Sequence, residues 1–238
     1  MMDEKIRQTA EYVEKRLRNF ESAHDWRHVQ KVWRNAKIIA LSERADLVVV
    51  ELAALLHDIA DYKFHGGDES IGHKLAEDWL ISIDIDDVIV MIYPHILEIF
   101  RNISYMGPTE KEHKISVEHA VVHDADRLEA IGAIGIARTF AFGGYSGHEI
   151  FNPEIKPNLK MSRQQYKQNT SPTINHFFEK LLLVKERMLT ETGKRLAQER
   201  HEFMKEFLHE FFNEWYMSEE IPNDWIELIT PLATDNTL

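Results

Sequence analysis

Apolar residues return every three or four positions through most of the chain. Ile6, Ala10, Val13, Leu17 and Phe20 form one such series, and Val29, Val32, Ala36, Ile39 and Ala40 the next. Both spacings predict amphipathic helices with one buried face. Ser22 or Asp25 can cap the second, standing just before its periodic residues. A third helix is predicted over about 45–59. Its beginning, VVVELAALL, is apolar and β-branched enough for a buried strand, but its length and the Glu51 within it favour helix. Gly66, Gly67 and Asp68 interrupt the pattern before a fourth helix centred on Ile71, Leu75 and Trp79. Further helical patterns cover about 86–102, 114–126, 129–142, 173–190 and 192–215.

No hairpin signal and no alternation of strand and helix interrupts this series, so the expected fold class is all-α. Phe203, Phe207, Phe211 and Phe212 fall at helical spacing and are expected in the core. Residues 143–172 hold three of the seven prolines and no clear period. A loop of that length in a compact domain is expected to be functional or mobile, and a lid over a ligand is one reading. No internal repeat or composition shift marks a boundary. The expectation is one helical domain over 1–216, followed by a C-terminal extension over 217–238.

Composition narrows the chemistry. The 238 residues are 44% hydrophobic, enough to fill a core, and contain no cysteine, which excludes disulfides, thiolate metal sites and a cysteine nucleophile. Any metal chemistry must use histidine and carboxylates. A formal charge of −12 argues against nucleic acid or an anionic membrane as partner. No apolar stretch reaches the roughly 18 residues of a membrane span, and the charged start MMDEKIRQTAEYVEKRLR does not read as a signal peptide. A cytoplasmic protein, monomeric or homodimeric, is expected.

Against that background His57 and Asp58 stand out, side by side at the end of the third predicted helix. Adjacent helical residues point about 100° apart, so the two do not share one core stripe, but near a helix end both can turn toward a common ion. Two protein ligands are seldom enough for a metal. His28 on the preceding helix and Asp126 in VVHDADRLEAIGAIGIARTFAFGG are the candidates to complete the set.

The four residues spell H-x28-HD-x67-D, and with this pattern the chain resembles the HD-domain superfamily of metal-dependent phosphohydrolases. AHDWRHVQKV, LAALLHDIADYKFHGGDES, DADRLEAIGAIGIARTFAFGG and HFFEKLLLVKERMLTETGKRLAQERHEFMKEFL are similar to one small bacterial-type branch, which includes nucleoside triphosphate pyrophosphohydrolases. The resemblance covers about residues 1–216. It implies a helical bundle with the metal between helices, and His28, His57, Asp58 and Asp126 as ligands of one divalent cation. Manganese is the ion expected, with cobalt, nickel, iron, zinc and magnesium as alternatives. An ion so held activates water and neutralises phosphoryl charge. The implied reaction is hydrolysis of a nucleoside or deoxynucleoside triphosphate to monophosphate and pyrophosphate. A nucleoside 5′-monophosphate phosphatase, or a metal- and nucleotide-binding sensor without turnover, are the other readings.

Several neighbours have candidate roles. Asp61, three residues beyond Asp58, suits a general base. Lys63 offers a point charge to a phosphate. Arg127 suits either a phosphate contact or, preferably, the orientation of a metal carboxylate. Lys180 is a further phosphate candidate, and His65 a pocket residue or proton donor. A second His-Asp pair, His123 and Asp124, precedes Asp126. A binuclear site built with His95, His113 or His119 is the less favoured reading.

Overall fold

The computed structural model describes residues 2–18, 25–59, 70–83, 87–102, 115–162, 165, 169–217 and 220–229, the side chains of 70, 87–91 and 101–102 excepted. Among these residues there are helices and no strand. They gather into two compact units, Met1–Glu129 with Met188–Arg195, and Ala130–Arg187 with Leu196–Leu238.

The first unit is built around α3 (Leu47–Leu56), which packs against α1 (Met2–Leu17), α2 (Trp26–Glu43), α5 (Asp87–Asn102) and α6 (Val117–Glu129). Every side chain of α3 from Val49 to Leu56 is buried. A helix apolar on all sides must be enclosed by others, and this is why its sequence also resembled a buried strand. Asp46 starts it by accepting hydrogen bonds from the amides of Val48 and Val49, at 2.9 and 3.3 Å. Its one charge, Glu51, is compensated: it accepts from Trp33 Nε1 at 2.7 Å and faces Lys37 Nζ at 3.2 Å. The helix α4 (Ser70–Ser82) meets α1 through Trp79, whose ring stacks on Tyr12 at 3.9 Å and whose Nε1 donates to Thr9 Oγ1 at 3.0 Å.

In the second unit α7 (Gly132–Tyr145) is set off from α6 by Gly132, whose φ of +78° lies in the left-handed region that glycine enters without strain. The predicted helix over 173–190 is not continuous. It is replaced by a short α8 (Asn175–Glu179) and 3₁₀ turns at Leu181–Leu183 and Lys185–Arg187. The buried residues Ile174, Phe177, Leu181 and Val184 keep the helical intervals of three, four and three, and the break falls at Lys180, whose backbone at φ −143° and ψ −57° leaves the helical region. The described part of the irregular segment before α8 is tied down by Glu179. Its carboxylate accepts from the Asn158 amide at 3.1 Å, Asn169 Nδ2 at 2.8 Å and Ser171 Oγ at 3.0 Å.

The long α9 (Glu191–Tyr216) carries the four phenylalanines. Phe212 is fully buried, and Phe207 and Phe211 are half-buried among other rings. Phe203 departs from the expectation: it is 46% exposed, because it lies on the flank of the apolar stripe that Met204 and Leu208 complete. Residues 217–238, set apart by sequence as an extension, include α10 (Asn223–Ile229). Its Trp225 is fully buried, with ring centroids 5.0 Å from Phe151, 5.4 Å from Phe212 and 5.9 Å from Phe178. Lys156 holds the outer edge, with Nζ 4.3 Å from the indole centroid and 2.6 Å from Asp224 Oδ2.

His176 in α8 gives this unit a pH dependence. Burial, then the charges of Lys180 and His148, push its pKa from 6.5 to about 3. Between those values the unfolded chain binds a proton that the folded chain does not, so stability falls as pH drops from 6.5 toward 3. Urea midpoints measured at about pH 7.5 and about pH 5 are expected to show this loss in the wild type and a smaller one in His176→Gln. Equal losses would assign the effect to another group.

Candidate metal centre

Three helix ends deliver the candidate ligands. Asp25 caps α2 by accepting from the His28 amide at 2.9 Å, which places His28 in the first turn. His57 and Asp58 follow the last residue of α3, in the turn that ends it. Asp126 sits in the last turn of α6, the helix packed along α2.

One nitrogen or oxygen from each of His28, His57 and Asp58 lies within 4.8 Å of the other two. His28 Nε2 is 3.9 Å from Asp58 Oδ2 and 3.5 Å from Asp126 Oδ1, and His57 Nε2 is 3.8 Å from the same Asp126 oxygen. Atoms each about 2.1 Å from one ion stand roughly 3 to 4 Å apart, so these separations suit a shared cation. The protonation of His57 agrees. Its Nδ1 lies 2.7 Å from the Ala54 carbonyl, which only accepts, so Nδ1 carries the proton and Nε2 presents a lone pair. That Nε2 is buried and has no hydrogen-bond partner among the described residues. A buried lone pair 3.8 Å from the Asp126 carboxylate is what a metal would satisfy.

The set is lopsided in exposure. The side chains of His28 and His57 are 4% and 5% exposed, those of Asp58 and Asp126 20% and 26%. The imidazoles form a floor and the carboxylates a rim that solvent can reach. Burial alone would raise the Asp126 pKa, but the hydrogen bond with His28 and the charge of Arg127 outweigh it, holding the carboxyl well below its usual range. Arg127 is mostly buried and sets Nη1 2.7 Å from Asp126 Oδ2.

The other candidates are placed unevenly. Asp61, Lys63, His65 and His113 lie outside the described residues. Lys180 belongs to the second unit, in the turn after α8, where its amide donates to the His176 carbonyl at 3.0 Å. Among the described residues no second group of three ligands accompanies the first. His95 Nε2 instead meets Ser116 Oγ at 2.7 Å, and His119 is buried, its pKa lowered by that burial and then by the charge of His123. Sequence reasoning missed the surroundings of Asp124, described below. The repeated His-Asp pair was the available signal, and it was weighed only as a metal motif.

Residues 25–131 match the family described as HD domain. The chain is 36% identical over 203 residues to the uncharacterized protein YpgQ of Bacillus subtilis, covering 84% of this chain and 88% of that one. Among solved structures it is similar to an HD-superfamily hydrolase from Bacillus thuringiensis, with a TM-score of 0.72 and 36% identity over 90% of this chain and 98% of that one. It is also similar to Bacillus subtilis YpgQ in complex with ADP, with a TM-score of 0.66 and 31% identity over 90% and 96% of the two chains. No helix among the described residues is long and apolar enough to cross a membrane.

Proposed function

The chain belongs to the HD-domain superfamily of metal-dependent phosphohydrolases, and from that premise we propose that it hydrolyses nucleoside or deoxynucleoside triphosphates to monophosphate and pyrophosphate with a single manganese ion. The observation that carries this reading is the convergence of His28, His57 and Asp58, with Asp126 beside them, on one small space. The donor set of two imidazoles and two carboxylates fits manganese and leaves positions for water and phosphate. A nucleotide as substrate is supported by the ADP complex of YpgQ.

In this reading the buried imidazoles of His28 and His57 and the carboxylates of Asp58 and Asp126 would hold the ion. A divalent cation bound there supplies Lewis acidity toward water and phosphoryl oxygen. Arg127 keeps Asp126 charged and aimed, so that the carboxylate is ready as a ligand without protein rearrangement. Asp61 takes the proton of the attacking water, while Lys63 contacts phosphate oxygens.

Metal-stripped protein reloaded with manganese, cobalt or magnesium and offered a nucleotide panel tests the proposal, with pyrophosphate and phosphate quantified separately. Pyrophosphate from triphosphates, highest with manganese, is expected. Phosphate without pyrophosphate would transfer the assignment to a monophosphate phosphatase, and nucleotide binding without any product to a sensor.

A further inference from the structure

The second His-Asp pair is not part of a metal-ligand group among the described residues, yet Asp124 is completely buried. Its carboxylate is surrounded by donors. Oδ1 accepts from His123 Nδ1 at 2.9 Å and from the Leu189 amide at 3.0 Å. Oδ2 accepts from the Thr190 amide at 2.8 Å and the Thr190 hydroxyl at 2.7 Å. Thr190 is in turn the cap of α9, its Oγ1 accepting from the Gly193 amide at 2.9 Å. The packing leaves no room at residue 193, where a Cβ would stand 2.2 Å from Asp124 Oδ2 and 2.7 Å from Thr190 Oγ1. A second carboxylate, Glu43 on α2, accepts from the Thr192 amide at 2.8 Å. All of these residues belong to the first unit.

Residues two apart on a helix point about 200° apart, so Asp124 grips α6 from the side opposite Asp126. A side-chain oxygen about 6 Å from a helix axis moves about 1 Å for each 10° of rotation. Metal ligands must be placed within a few tenths of an ångström. Nothing in Asp126 itself, partly exposed on the rim, sets the rotation of its helix. We propose that Asp124 is a positioning residue: by fastening the back of α6 to the amides of Leu189 and Thr190 and the Thr190 hydroxyl, it sets the angle at which Asp126 meets His28 and His57, and through it the affinity for the divalent cation. The proposal rests on the reading of the four residues as a metal site.

Manganese titration of the metal-stripped full chain, followed by the electron paramagnetic resonance of the free ion, separates positioning from stability. Asp124→Asn keeps the size but removes acceptor capacity, and is expected to weaken the manganese Kd by about 10- to 100-fold in protein that circular dichroism shows to be folded. Thr190→Val, close to isosteric, is expected to weaken it in the same direction by a smaller factor, and Thr190→Ser to restore it. A purely structural latch would lower the melting temperature and leave the Kd of the folded variants at the wild-type value, and that result would overturn the proposal. Should Asp124→Asn not fold, the valine and serine pair decides by the same criterion. A wild type that binds no manganese would remove the metal reading and the latch together, whereas tight binding by wild type and variants alike removes the latch alone.

Discussion

Alanine at position 58 is expected to abolish tight manganese binding and to lower turnover by about 10³-fold or more, beyond the 10- to 100-fold effect of outer-shell partners, while helical content stays at the wild-type level. The reason is positional. Asp58 follows α3 in its terminal turn and is partly exposed, whereas the hold on that helix comes from the buried run Val49 to Leu56. Removing the carboxylate therefore deletes the proposed ligand without opening the core. Manganese is expected to raise the wild-type melting temperature, because an ion bound only by the folded state stabilises it, and to leave that of Asp58→Ala unmoved. A variant that hydrolyses the substrate at the wild-type rate would refute the role given to the His57-Asp58 pair.

The largest expected loss of stability is at Trp225. Its ring is enclosed by Phe151, Phe178 and Phe212, so Trp225→Ala removes a fully buried aromatic and leaves a cavity, destabilising the protein by about 3–5 kcal/mol. Against a typical total of about 5–15 kcal/mol this is a large fraction. Urea denaturation followed by far-ultraviolet circular dichroism measures it, and Trp225→Phe is expected to lose less because a ring remains. A loss below about 1 kcal/mol, the scale of surface substitutions, would mean that α10 does not belong to the core in solution.

The two effects differ in how far sequence could anticipate them. Asp58 stood out as a candidate because its neighbours in the chain announce it: a buried helix ending in His-Asp is unusual, and the spacing to His28 and Asp126 resembles that of a known family. Trp225 was not, since the residues around it have no helical run long enough to show a period, and the ring's partners lie at positions 151, 178 and 212. Arg127 falls between these cases. Its place beside Asp126 suggested two roles, and the 2.7 Å contact with that carboxylate belongs to the orienting one.

What the amino-acid order determined by itself is the set of helices with a clear apolar face, Asp25 as one of two caps offered for the second of them, and the identity of the residues able to ligate a cation. These are local properties: periodicity, capping and residue type act within a turn or two of chain. Only the tertiary structure decided that the segment after Thr173 breaks into tighter turns, that Phe203 faces outward, and that Asp124 finds its partners in Leu189 and Thr190. Those outcomes depend on what packs against each residue. Asp124 and Thr190 are 66 positions apart, and no period or motif in either segment names the other. Their pairing follows from burial, which leaves a carboxylate no alternative to the donors that the fold brings within reach.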